Sequence, residues 1–465
     1  MYYKVYRGIK IEQEILKISK IGSLFKIPIV VSFIIISSFS QKSICNAQTA
    51  YNYISTTGTG SDFPIVNVST ADIYVDSKDF WGVARAAGDL QADVKRVTGA
   101  TPAIKNDTSG LSSSAIIVGT IGKSTVINNL ISSGKIDVTS IQGKWESAII
   151  QVVENPLAGV SKGLVIAGSD RRGAIYGIYD LSQKMGVSPW YWWADVPVKT
   201  KSTVFVKQGV YRLGEPSVKY RGIFINDEAP CLSEYTKEKY GGVGFNHLFY
   251  EKVFELLLRL KANYLWPAMW GNTFNQDDTL NPVLADKYGI VMGTSHHEPM
   301  MRAQKEWTTS GLGDWNYVTN RTNIYNFWDF GINRNKAYDN LITIGMRGDG
   351  DKAMPGNTIQ EQMDALKTVV SDQRKILGNR INSDLTKIPQ VWMLYTEVQV
   401  YYENGFRVPD DVTHLWTDDN YRNVRRLPMA DERSRAGGAG IYYHVDANVY
   451  PYIYKWINTI PITKI

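Results

Sequence analysis

From Tyr220 the chain reads Tyr-Arg-Gly-Ile-Phe-Ile-Asn-Asp-Glu-Ala-Pro, a short apolar run that turns abruptly into an amide, two carboxylates and a proline. Bounded by Gly and Pro, the run is too short for a buried helix. It predicts a strand covered on both faces that delivers polar groups at its C-terminal end. The pattern then repeats. Short apolar runs with polar clusters at their ends predict strands over 221–227, 264–270, 289–296, 341–347, 391–397, 413–419 and 439–446. Between them apolar residues recur at helical spacing, most clearly over 249–260 and 359–377. Such alternation predicts a parallel sheet, and seven units in about 225 residues favour a (β/α)8 TIM-type barrel over an open doubly wound sheet. The chain ends at Ile465, where an eighth strand is expected, so the predicted barrel lacks that strand.

Upstream, the alternation runs at a different scale. Strands are predicted over 73–75, 115–119, 147–153 and 163–168, with helices over 80–97, 124–133 and 172–185. This predicts an N-terminal α/β domain over 63–214, followed by the barrel over 215–465. Residues 48–62, rich in Thr, Ser and Gly, read as a flexible lead. Trp190-Tyr191-Trp192-Trp193 lies near the boundary, where four aromatics are expected to pack one domain against the next; a sugar platform is the lesser alternative.

Composition changes the picture mainly at the N-terminus. The net charge of +6 comes almost entirely from residues 1–47, and the remainder is close to neutral, so charge gives no reason to expect nucleic acid as a partner. A basic lead to Lys26, an apolar segment over 27–39 and a polar stretch to Ala47 resemble a secretory signal cleaved after Ala47. The apolar segment is too short for a membrane span. The protein is therefore expected to be exported, to the periplasm or outside the cell, with Cys45 as a lesser candidate for lipid attachment at the outer surface. Only Cys231 then remains, which excludes an internal disulfide. Thirteen Trp and 28 Tyr make the chain aromatic-rich, as sugar-stacking proteins often are.

In barrels of this kind the chemistry sits where strands run out into loops at the C-terminal face. Here those ends carry Asn226-Asp227-Glu228, Trp270-Gly271-Asn272, Ser295-His296-His297-Glu298, Arg347-Gly348-Asp349-Gly350-Asp351, Thr396-Glu397, Asp418-Asp419-Asn420 and His444-Val445-Asp446. Each also has a structural account. Asp349 lies in an Asp-Gly-Asp turn, Glu397 can be a salt-bridged core glutamate, Asp418 to Asn420 can cap a helix near Tyr421, and Trp266 and Trp270 can fill a loop core. Adjacent in a predicted strand, His296 and His297 point to opposite faces, so no metal site is expected. Glu397 directly follows an apolar run, and burial there is expected to raise its pKa toward general-acid use. No serine elbow, phosphate-binding loop or Cys-His pair with sensible spacing occurs. Convergent carboxylates and aromatics without metal spacing favour glycoside hydrolysis.

Seven segments, within 220–230, 263–272, 293–301, 346–354, 395–405, 418–428 and 437–446, closely resemble the xylan α-1,2-glucuronidases of glycoside hydrolase family 115. Residues 165–199 are similar to that family's N-terminal α/β domain. The resemblance implies removal of glucuronic acid or its 4-O-methyl form from glucuronoxylan or derived oligosaccharides, with inversion and without a cofactor. It implies Glu397 as general acid and Asp349 as the base that activates water; Asp227, which also ends a predicted strand beside the others, is second for that role. Asn226, Asp227, Trp270, His296, Arg347, Asn420 and His444 are implied to line the sugar site. An inverting pair is expected roughly 6.5–9.5 Å apart. Oligomeric state stays open, with a dimer as one outcome for the full-length form.

Three departures follow. Thr396 stands where members often carry lysine, so contact with the sugar carboxylate falls more heavily on Arg347, a suitable bidentate partner. Residues 447–451 depart from the family's Tyr-Val-Gly-Gly-Pro. The family also continues with an eighth strand and further domains, so this chain alone is expected to expose two strand edges and to be poorly soluble or inactive. The competing reading is a carbohydrate-binding remnant without catalysis.

Overall fold

A computed structural model describes residues 52–226, 229–419 and 423–444. The expected signal segment over 1–47, Asp227, Asn420, the altered stretch over 447–451 and the region expected to supply an eighth strand lie outside the described residues. Among the described residues no helix is long and apolar enough to cross a membrane.

The first region builds two sheets. Strands β1 (Ile54–Ser55), β2 (Phe63–Val66) and β8 (Val204–Val206) form a small antiparallel sheet in the order β1-β8-β2. Of the residues read as a flexible lead, 52–62 are described, and there Ile54 pairs with Val206 and buried Tyr53 donates its hydroxyl to Asp180 at 2.9 Å. The larger sheet takes β3 (Asp72–Val75), β4 (Ile104–Lys105), β5 (Ser114–Thr120), β6 (Ala148–Leu157), β7 (Val160–Gly168) and β9 (Val210–Leu213) in the order β4-β3-β5-β7-β6-β9. Its first four strands in that order run parallel, and of these β3, β5 and β7 are largely buried, as continuous apolar runs require. β6 and β9 add antiparallel pairs. The helix Trp81–Thr98 stops at Gly99, whose left-handed φ of 77° lets its N–H return to the Lys95 carbonyl. The helix Arg171–Met185 starts at Asp170, whose carboxylate accepts from Gly173 N.

The second region supplies seven strands in chain order: β10 (Gly222–Phe224), β11 (Tyr264–Trp266), β12 (Val291–Met292), β13 (Ile342–Ile344), β14 (Gln390–Leu394), β15 (Thr413–Thr417) and β16 (Ala439–Tyr442). β10-β11-β12 and β13-β14-β15-β16 are parallel sheets, joined by a parallel bridge between Met292 and Asn340. Each strand overlaps a segment read as one, β14 beginning one residue before it, but each stops short, so the polar clusters stand on loops beyond the strand ends. β10, expected to be covered on both faces, is instead an edge among the described residues: it pairs only with β11, and Ile223 is 44% exposed. The helix Ile359–Arg380 begins where Thr358 accepts from Glu361 N. Helices Cys231–Tyr240, Leu280–Tyr288 and Arg321–Asn335 also intervene, and apolar spacing alone did not flag them.

One apolar core runs through both regions, from Val83 and Leu90 through Phe254 and Tyr288 to Trp392 and Trp416. Ion pairs lie beside it. Buried Arg259 reaches Asp93 at 2.8 Å and Glu255 at 2.9 Å. The aromatic run packs here as expected: Tyr191 donates to Glu255 at 2.9 Å, and Trp193 donates to the Lys252 carbonyl.

Candidate active site

The loops at the C-terminal ends of the parallel strands carry unusual backbone. Trp270, Met300, Met301, Asp351 and Thr396 all have positive φ, conformations that cost energy and tend to persist where function needs them. The turn after β13 begins at Arg347, which is 4% exposed and whose carbonyl accepts from Trp315 Nε1 at 2.9 Å. Gly348 N then donates to the Lys352 carbonyl at 2.7 Å, folding the loop back on itself. A Cβ at Gly348 would meet the Ala353 carbonyl oxygen at 2.2 Å, so only glycine fits. The result returns Asp351, at φ 63°, against the guanidinium of its own Arg347.

Arg347 is the hub. Its Nε donates to Glu397 Oε1 at 2.7 Å, and its Nη2 donates to Glu397 Oε2 at 2.8 Å and to Thr396 Oγ1 at 3.0 Å. This is the bidentate geometry that guanidinium and carboxylate favour. Glu397 opens the short helix Glu397–Glu403, directly after Thr396 at φ 46° and ψ −112°. A β-branched residue there is a backbone outlier, held in place by what it aims. Burial pushes the Glu397 carboxyl up, but the hydrogen bonds from Arg347 and Thr396 and the guanidinium charge outweigh it, leaving the group below the usual glutamate range. The expected rise in its pKa is thus corrected, because the residue that decides its ionisation is fifty positions away in the sequence.

His296 meets Asp351 through Nε2 at 2.7 Å. Burial first, then the Arg347 charge, lowers His296 to about 3, and burial first, then His296, lowers His297 to about 2, so both rings are neutral near pH 7. They lie beyond β12 rather than within a strand, and their centroids are 5.0 Å apart. The expectation that they face opposite ways is corrected: donor atoms of His296, His297 and Asp351 all come within 4.8 Å of one another. Arg347 already sets a fixed positive charge on Asp351, which opposes a cation at this point.

The remaining predicted residues arrange themselves around this centre. Trp270 is 41% exposed and its ring lies 4.7 Å from that of His297, at the rim where a sugar face can stack. His444 Nδ1 lies 2.5 Å from Asp418 Oδ1, and His444 N donates to Asp418 Oδ2. Asp418 therefore orients a histidine, and Asp419 bonds Asn423; the helix start expected near Tyr421 lies outside the described residues. Asn226 Oδ1 is buried without a protein partner among the described residues. Asp349, expected as the base, lies in the same turn. It is exposed, and its Oδ1 accepts from Gln304 Nε2 at 3.0 Å. Sequence reasoning missed Asp351, four residues beyond Arg347 in the same turn. It also missed Tyr442, whose ring is met by Phe224 at 6.0 Å, Trp266 at 5.5 Å, His296 at 6.3 Å and His444 at 4.5 Å.

The sequence profile of glycosyl hydrolase family 115 matches residues 213–465. The solved structure of BtGH115A, described as a family GH115 4-O-methyl-α-glucuronidase with specificity for decorated arabinogalactans, superposes with a TM-score of 0.77 and 38% identity, covering 87% of this chain. The chain belongs to glycosyl hydrolase family 115. It spans 52% of the length of BtGH115A, about half. An N-acetyl-β-hexosaminidase from Streptomyces plicatus also superposes, at 13% identity and a TM-score of 0.44 over 82% of this chain and 71% of its own; at that level it carries no argument. No curated protein matches. For this family 115 chain, the centre on Arg347 is the cluster among the described residues where carboxylates, neutral histidines and exposed aromatic surface converge.

Proposed function

We propose that this protein is an inverting glycoside hydrolase that removes glucuronic acid or 4-O-methylglucuronic acid from polysaccharide side chains. Family membership supports the class, and the Arg347 fork beside Glu397 carries the reading. A buried guanidinium among carboxylates and aromatic rings suits a uronate carboxylate. Glu397 is the candidate acid. Of the two turn carboxylates the geometry favours Asp351 as base, because it faces the centre beside neutral His296, whereas Asp349 is engaged by Gln304. In the reaction, water oxygen bonds the anomeric carbon while Asp351 takes the water proton. The glycosidic C–O bond breaks, and its electron pair leaves on oxygen, which receives the Glu397 proton.

The seven parallel strands in chain order support a (β/α)8-type barrel over 215–465 with a separate α/β domain over 63–214, and the signal-like residues 1–47 support export. The backbone to which the sugar is attached is xylan by sequence resemblance and decorated arabinogalactan by the description of BtGH115A. The test is uronic acid release by the full-length protein from both polysaccharides, followed by proton NMR of the first-formed anomer. Release as the β-anomer is expected. Release as the α-anomer defeats inversion, and binding without release favours the carbohydrate-binding remnant.

A further inference from the structure

Two demands meet on Glu397. A general acid must carry a proton, yet Glu397 is held ionised by the residue proposed to receive the substrate's carboxylate. Nε and Nη2 of Arg347 are both committed to Glu397, and Nη1 lies against Asp351 without an aligned hydrogen bond. With Arg347 4% exposed, no second carboxylate can approach the same edge of the fork while Glu397 occupies it. Glu397 is itself a carboxylate with a partly exposed side chain, so it fills the position a uronate would take.

We propose that the carboxylate of the bound uronate replaces Glu397 on the Arg347 fork, and that this exchange frees Glu397 to act as the catalytic acid. The proposal rests on the uronate reading of this site. Once displaced, Glu397 keeps its buried surroundings but loses its guanidinium partner and gains an anion nearby, and both changes favour the protonated form. The other groups facing it do not reverse this. His296 is neutral, Thr396 and Tyr401 are uncharged, and Asp351 is a second anion on the far side of Arg347. A neutral sugar of the same shape leaves Glu397 paired and ionised. Discrimination then appears in kcat as well as in KM, because the carboxylate is needed to make the acid.

The test measures proton uptake when free glucuronic acid binds the full-length protein, by titration calorimetry in buffers of different ionisation enthalpy between pH 5 and 7.5. Uptake approaching one proton per uronate is expected, with affinity falling about tenfold per pH unit in the window where the exchange takes up a full proton. Glu397→Gln is expected to bind without uptake, more tightly and with little pH dependence. Wild-type binding with no proton uptake overturns the exchange and leaves the uronate reading standing, as does undiminished uptake by Glu397→Gln. Absence of glucuronic acid binding by both proteins removes the uronate reading and the exchange together.

Discussion

Glu146 and Glu397 are both carboxylates on arginine, and they differ in what completes them. Glu146 is wholly buried. Its Oε1 accepts from Arg172 Nε and Asn263 Nδ2, each at 2.6 Å, and its Oε2 accepts from Arg221 Nη2 at 2.5 Å. It thereby fastens the start of β6 and the helix Arg171–Met185 to the residues just before β10 and β11. Glu397 has one arginine and one hydroxyl, and its side chain is 19% exposed on the side of the site. A carboxylate shared among two guanidinium groups and an amide has no partner it can release without stranding charge. One bound to a single fork, with an open side, can be exchanged. Ion pairing alone therefore says little about role; the number of partners and the open side decide it.

The contrast breaks most readily at Glu397. Replacing it with Gln is expected to lower uronic acid release by about 10²–10⁴-fold, the usual worth of an acid–base group, while circular dichroism stays native. Unchanged turnover would remove Glu397 from the chemistry. Glu146→Ala should do the reverse: destabilisation of about 3–5 kcal/mol in chemical denaturation, because Arg172 and Arg221 are left without their shared anion, with turnover per folded molecule maintained. A loss below about 1 kcal/mol would put Glu146 with ordinary surface pairs.

Within the turn, Asp351→Asn is expected to cost about 10²-fold in turnover, as loss of a general base does, and Asp349→Asn less than about tenfold. The opposite ranking would restore Asp349 as the base. The smallest effect concerns Glu298, a third buried carboxylate with no arginine at all. Burial lifts it from 4.5 to about 7, against hydrogen bonds from Gln304 N and Ser295 Oγ. Between those values the folded chain holds a proton that the unfolded chain gives up, so this group's contribution to stability falls as pH rises through the window. Glu298→Gln should therefore gain about 2 kcal/mol relative to wild type on going from pH 5 to pH 8, read from denaturation at both values. An equal difference at both would show that Glu298 does not titrate there.

Much of this architecture was legible because the second region's strands are short apolar runs with abrupt polar ends. Tyr264–Trp266 and Ile342–Ile344 need no long-range information to be recognised. The orientation of the site residues did need it. Which of Asp349 and Asp351 meets Arg347 and His296 is set by the fold-back at Gly348 and the left-handed backbone at Asp351, neither visible in an Asp-Gly-Asp spelling. The ionisation of Glu397 was misjudged because burial was apparent from the neighbouring apolar run and Arg347 was not. The two histidines were misjudged by extending β12 four residues too far, which imposed an alternation that the loop does not obey.

The ring of Tyr442 bears on when the site comes into being during synthesis. Phe224 from β10, Trp266 from β11 and His296 from the loop after β12 all meet a side chain on the last described strand. A ribosome that has released Arg347 and Glu397 has supplied the charged fork but not the surface against which those earlier rings are stacked. The pocket is thus a late product of translation: its acid and its arginine wait for a tyrosine made after them.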